Sequence, residues 1–413
     1  MAKVKEKKAL DKKGWIQSFT LVGKAALGKF TFNIDAHSEK SDYIYSRMLL
    51  NVDCGEKYGL VQSQLMGGYS ISNPYPVYVH GKKIDEKTGR EVDDFDNIYT
   101  IDWEDRLDES ILEDVGNLCF IRIGIERDKE GNIVEKKFLS DYDATNYLSD
   151  TLKDGTEIKV KGQLKYSIYN DAIQVTKQIN SIFLKTDKDT PIAMFTQTML
   201  LNKDSVGKLD KDKMVYPIVG MVLEKFKEYN GNDLTDGGSV KGGKFVPLRK
   251  VFDYEVDPDN KEKADLVISK VFKVKKNITM LTCEGIFVEG GATVQATEAD
   301  IPADIKELID LGAYSMEEAL AKCSENKGKE RRMILKRPFL RMVGEEGSKT
   351  LQIQKFEDKY SDDDLMLDYL IKHEEPEEEE DEDEDEVPFE EEKPKKEEPS
   401  DDLDDDSWMD SIV

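Results

Sequence analysis

The chain has little of what metal and redox chemistry requires. Its 413 residues include four cysteines and three histidines. Cys54, Cys119, Cys283 and Cys323 lie far apart and form no Cys-x-x-Cys pair. His37, His80 and His373 complete no zinc-ligand spacing. The cysteines read as free thiols in a reducing cytosol, and no metal or other cofactor is expected. No segment approaches the roughly 18 consecutive apolar residues of a membrane helix. The start, MAKVKEKKALDKK, also lacks an apolar run, so no signal peptide is expected and a cytoplasmic protein is.

Catalytic motifs are absent as well. There is no nucleophile elbow and no His-Glu-x-x-His run. Gly238-x4-Gly243-Lys244 has the frame of a phosphate-binding loop, but Phe245 stands where the magnesium-holding Ser or Thr belongs. Pro247 then interrupts the helix that should follow. Nucleotide hydrolysis is rejected, and a flexible basic loop is expected there. Carboxylates are so numerous that no pair singles itself out, so the chain is not expected to be an enzyme. A metal-dependent nuclease would need carboxylates that converge in space.

What is abundant is acid, and it is localised. The formal net charge is −27. From Glu374 to Val413 there are 23 Asp and Glu against three Lys, a net of −20, which leaves −7 for residues 1–373. Like charges in blocks repel and bury no core, so residues 362–413 are expected to be a disordered tail. It ends in Asp404, Asp405, Asp406, Ser407, Trp408, Met409, Asp410, Ser411, Ile412 and Val413, an apolar tip on an acidic run.

Leu152–Leu184 is the most legible stretch. Ile158, Val160, Gly162 and Leu164 alternate with Lys159, Lys161, Gln163 and Lys165, the period of a half-buried strand. Tyr169-Asn170-Asp171 makes a turn, and Ile173, Val175, Ile179, Ile182 and Leu184 resume the apolar pattern, with a phase shift between Val175 and Ile179 that suits a bulge. Upstream, 141–152 reads as a short amphipathic helix closed by Asp154-Gly155. A helix, a turn glycine and two paired strands are how the closing half of an OB barrel reads.

The expected architecture is mainly β with minor α. Residues 1–13 form a basic arm with six lysines, and 14–189 a decorated OB barrel with an irregular insertion at 70–110. Strands are expected at 15–22, 30–34, 43–52, 60–66, 118–125 and 133–139. Residues 190–361 form a second OB-like unit, with strands at 194–201, 215–226, 245–256, 266–273, 278–287, 331–343 and 351–356. Its helical region is 301–323, where Ser315 caps Met316–Leu320. Strands, a helix and two closing strands repeat the order of the first unit, and a duplicated barrel is the preferred reading.

A face that binds single strands needs cations for phosphates and flat rings for bases. In the first unit the candidates are Trp15, Phe19, Lys24, Lys29, Phe30, Phe32, Tyr43, Tyr45, Arg47, Lys159, Lys161, Lys165, Tyr166 and Tyr169. In the second they are Lys244, Phe245, Arg249, Lys250, Phe252, Tyr254, Arg331, Arg332, Lys336, Arg337, Phe339 and Arg341. Lysines on a strand face are usually only solvated and aromatic rings usually core, so the clustering of both types carries the expectation.

In the 152–184 stretch and the tail, the chain resembles phage and bacterial single-stranded DNA-binding proteins. Asp385-Glu386-Val387-Pro388-Phe389 is similar to the bacterial tip, although here it is internal. The resemblance implies a phage-encoded protein that coats single-stranded DNA without sequence preference during replication, recombination or repair. It implies that Asp404–Asp406, Trp408, Met409, Ile412 and Val413 dock polymerase, primase, helicase or recombinase. From another class, an acidic interaction protein, such as a DNA mimic or a chaperone of basic proteins, would use the same tail.

Overall fold

A computed structural model describes residues 8–367, apart from 87, 170, 171, 236–241, 294–300, 312, 313, 317, 321, 323–328 and 345–347. The tail residues from Asp404 to Val413, and most of the loop before Lys244, lie outside the described residues.

The chain is mostly β. The strands of the first half are β1 (Gln17–Ala26), β2 (Phe32–His37), β3 (Tyr43–Asp53) and β4 (Leu60–Ser70). An insertion follows, with β5 (Val77–Ile84), β6 (Glu91–Ile101), α1 (Glu109–Leu112), β7 (Ile121–Arg127) and β8 (Ile133–Phe138). Then come α2 (Asp141–Thr151), β9 (Glu157–Tyr169) and β10 (Ala172–Leu184). The ring runs β1-β3-β4-β10-β9 and closes on β1, with β4 and β10 parallel and α2 between the third and fourth ring strands. That is a five-stranded Greek-key barrel of the OB type.

Inside it, Ile158, Val160, Leu164 and Tyr166 are buried while Lys161, Gln163 and Lys165 are exposed, as period two requires. Gly162 sits where a Cβ would lie 1.9 Å from the Gln178 carbonyl oxygen and 2.6 Å from Phe19. The barrel is too narrow there for any side chain. The bulge falls between Ile179 and Ser181, just beyond the expected position.

The second half repeats the plan. It holds β11 (Ile192–Leu201), β12 (Val215–Phe226), the short pair β13 (Glu228–Tyr229) and β14 (Asn232–Asp233), and β15 (Lys244–Glu255). After α3 (Lys261–Val267) come β16 (Ile278–Thr293), α4 (Ala303–Asp310), β17 (Lys329–Pro338), β18 (Leu340–Val343), β19 (Thr350–Ile353) and β20 (Lys355–Tyr360). The ring is β11-β12-β15-β17-β16, closed by β11–β16, with its third and fifth strands parallel as in the first. β1 pairs with β11 from Gln17↔Gln197 to Val22↔Ile192, so both rings share one sheet.

The duplication is carried by other residues than the sequence suggests. Residues 266–273, expected as a strand, are helical: α3 continues as a π turn over Ile268–Phe272. Ala264, Ile268 and Phe272, four apart, form the buried stripe. The helix matching α2 is therefore α3, while α4 lies between the fourth and fifth ring strands.

The chain divides into two compact units. Lys13–Val222 with Leu248–Lys359 holds the barrels. The other comprises Met1–Lys12, Leu223–Pro247 and Tyr360–Val413. Within the latter, the Lys8 amide donates to Asp364 at 2.8 Å and Lys12 pairs with Glu224 at 2.9 Å.

Candidate nucleic-acid interface

The outer face of β9 is a row of cations. Lys161 and Lys165 are exposed and carry no ion pair among the described residues. Lys159 is bonded to Asp189 at 2.5 Å, and that contact, with bonds from the Thr186 amide and hydroxyl, holds the Asp189 carboxyl well below its usual range. Tyr169, 40% exposed, ends the row at the β9–β10 turn. In OB barrels that turn and the one between the first two ring strands flank the oligonucleotide face.

The other flanking turn carries Lys29 over the ring of Phe30 at 5.5 Å, with Phe30 81% exposed. Lys24 is exposed on β1, and Phe32, Tyr43 and Arg47 are half-buried on β2 and β3. Trp15 is half-buried, and its Nε1 has no hydrogen-bond partner among the described residues. Tyr45 and Tyr166 turn inward: they are 7% and 3% exposed, and Tyr166 donates to Gln197 at 2.8 Å. Phe19 and Phe252 are likewise buried. None of these four presents a ring face to solvent, which stacking requires.

In the second barrel much of the basic run is neutralised. Arg332 binds Asp253 at 2.7 Å and Glu255 at 3.2 Å, Lys336 binds Glu255 at 2.7 Å, and Arg337 pairs with Glu284. Exposed pairs of this kind are worth about 0–1 kcal/mol, so phosphates can displace them. Arg249 and Arg331 are exposed with no ion pair among the described residues. Phe339 is half-buried, and Arg341 lies over Phe356 at 5.0 Å. Lys244, Phe245 and Tyr254 are half-buried.

A buried ion pair that joins the barrels, Lys177 with Glu289, was not among the expected residues, although its neighbours Lys250 and Arg331 were. Lys177 on β10 and Glu289 on β16 meet at 2.5 Å, each side chain 7% exposed. The Gln62 amide also donates to Glu289, at 3.2 Å, and Lys177 Nζ lies 4.7 Å over the ring of Phe287. Burial, opposed by Glu289, pushes the Lys177 amine below its ordinary value, and Arg331 adds to the push. Lys250 is lowered in turn by burial and by Lys177, opposed by Asp253. Lys177, Lys250 and Arg331 thus gather with two carboxylates, Glu289 and Asp253, where the barrels meet. The sequence held a signal: Lys177 is in phase with Val175 and Ile179 on the inward side of β10.

A second unforeseen group is aromatic. Tyr69, Trp103 and Tyr142 form a cluster, with Tyr69 5.0 Å from Trp103 and 5.4 Å from Tyr142. Arg106 lies 4.0 Å over Trp103 and binds both oxygens of Asp143 at 2.7 and 2.9 Å. Burial, with the bond to Asp35, pushes the Tyr142 hydroxyl up to about 12.

Charge is strongly segregated within residues 1–373. Residues 85–114 hold 13 Asp and Glu against three Lys and Arg, a net of −10, so the rest of 1–373 is +3. Among the described residues, no three of His, Cys, Asp and Glu group as a metal ion needs, and no helix is long and apolar enough to cross a membrane.

No family model and no curated protein matches the chain. Among solved structures, it is similar to a deletion mutant of the single-stranded DNA binding protein from Thermus aquaticus. That match has 10% sequence identity, a TM-score of 0.29, and covers 80% of this chain and 98% of that one. At this TM-score the barrel assignment rests on the strand pairings themselves.

Proposed function

We propose that the chain binds single-stranded DNA without sequence preference and coats it in the cytoplasm, with no catalytic step. The strand runs along the Lys161–Lys165 row and over the cationic junction of Lys177, Lys250 and Arg331, with Phe30 and Tyr169 offering rings to bases. The observation that carries this reading is that junction together with the exposed Lys161, Lys165, Arg249 and Arg331, which have no ion pair among the described residues. A fold alone does not name a ligand, so the weight lies on these side chains. Cations on the backbone and rings on the bases bind any sequence, because every phosphate is charged and every base has a flat face.

The acidic tail, through Asp404–Asp406, Trp408, Met409, Ile412 and Val413, recruits replication, recombination and repair proteins in this reading. Its polyanion also competes with DNA for the cations.

Fluorescence anisotropy of labelled oligo-dT against matched duplex tests the proposal on the full chain. Tight, salt-sensitive binding to dT and weaker binding to duplex is expected. No binding to dT at low salt overturns it and leaves the acidic interaction protein as the better reading. Competition by oligo-rU separates DNA from RNA.

A further inference from the structure

The insertion between β4 and α2 is the part of the barrel unit least suited to nucleic acid. Its β5–β6 ribbon forms a sheet of its own, registered Val77↔Ile101 to Ile84↔Glu91 with a bulge after His80. One face is core: Val79 and Ile101 pack with Val115, Phe120 and Leu139. The other face exposes three large apolar side chains around the largely buried His80. Tyr78 is 56% exposed, Phe95 61% and Ile98 65%. They are contiguous, since His80 lies opposite Ile98 and two residues from Tyr78, and the Phe95 ring rests on His80 at 4.6 Å.

Carboxylates surround this patch. Asp93 is fixed by His80 at 2.9 Å and by the Leu118 amide at 2.9 Å, and Asp94 by Lys83 at 2.8 Å. The Asp96 side chain is 97% exposed. Between the ribbon and α1 lies an open groove of about 680 Å³ lined by Lys82 and Lys83 as well as by Glu91, Glu113 and Asp114. Tyr99 also lines it, with a buried hydroxyl that has no partner among the described residues.

An apolar patch rimmed by charge is the form of a protein-docking surface. From Val77 to Asp114, Lys82 and Lys83 included, there are 13 Asp and Glu against five Lys and Arg, a net of −8, so this surface repels phosphate and attracts cations. We infer that the β5–β6 ribbon docks a basic segment of a partner protein. Apolar side chains of the segment cover Tyr78, Phe95 and Ile98, while its lysines or arginines meet the surrounding carboxylates. The surface is separate from the tail and from the cationic junction. The inference does not depend on DNA binding.

The test uses the full chain and a labelled peptide of alternating arginine and valine bearing a benzophenone, with cross-links mapped by mass spectrometry. Cross-links on residues 75–105 are expected, with a yield at least tenfold lower in the Phe95→Ser/Ile98→Ser variant. Asp94→Asn/Asp96→Asn is expected to lower the yield and to weaken its salt dependence. Unchanged circular dichroism confirms that both variants fold. Cross-links confined to residues 368–413, or a ribbon yield unchanged in Phe95→Ser/Ile98→Ser, would overturn the inference. Oligo-dT anisotropy on the same samples reports the DNA-binding proposal separately.

Discussion

The ammonium of Lys177 lies 2.5 Å from the carboxylate of Glu289, joining β10 of the first barrel to β16 of the second. Removing one member of a buried pair strands the other charge, at a cost of about 3–5 kcal/mol, whereas replacing both with apolar groups is often close to neutral. Lys177→Met and Glu289→Gln are therefore expected to destabilise strongly as single changes. Lys177→Met/Glu289→Leu is expected to recover most of the loss, read by urea unfolding. Additive losses in the double variant would contradict a coupled pair.

Asp141 opens α2 packed on Gly67, and its carboxylate accepts from Gln178 at 3.3 Å. Burial raises its pKa from 3.8 to about 7. The folded state therefore holds this proton more tightly than the unfolded chain does. Below about pH 4 both states are protonated and the site costs nothing; stability falls as the pH rises, with the full cost present above about 7. Asp141→Asn is expected to stabilise by about 2 kcal/mol at pH 8, less than the whole shift implies because the residue keeps some exposed surface. The gain should vanish near pH 4. A pH-independent difference would contradict this.

Gly59 adopts φ +76°, and a Cβ there would lie 1.8 Å from the Glu289 carbonyl oxygen. Left-handed backbone and a clash with main chain together make Gly59→Ala destabilising by about 3 kcal/mol. Thermal unfolding measures this, and a loss below about 1 kcal/mol would contradict the close approach.

Phe30 is 81% exposed, and the Lys29 amine lies 5.5 Å from its ring. Phe30→Ala is expected to change stability by less than about 0.5 kcal/mol. If the ring stacks on a base, oligo-dT affinity should fall by about 1–3 kcal/mol. Equal affinity for both proteins would remove Phe30 from the interface.

How far the sequence could be read varies with the distance over which each feature is decided. The β9 alternation is local, so its buried and exposed faces were legible, and Tyr166 belongs to the buried phase of Ile158 and Leu164. The helix at α3 was not legible, because Val267, Ile268 and Val271 mimic a strand while their burial follows a four-residue spacing. The ion pairs on β17 join residues 53 to 81 apart in sequence, so no run of basic residues reveals that Arg332, Lys336 and Arg337 face carboxylates. Lys177 met Glu289 for the same reason, across 112 residues.

Salt dependence of oligo-dT binding addresses the proposed cationic path most directly. Each phosphate contact to a single strand contributes about −0.7 to the slope of log K against log salt. Lys161, Lys165 and Arg331 are exposed and have no ion pair among the described residues, so their loss should leave the fold intact. The Lys161→Ala/Lys165→Ala/Arg331→Ala protein is expected to bind more weakly at low salt, with a slope shallower by about 2. A slope identical to that of the unaltered chain would show that the strand does not run along these residues.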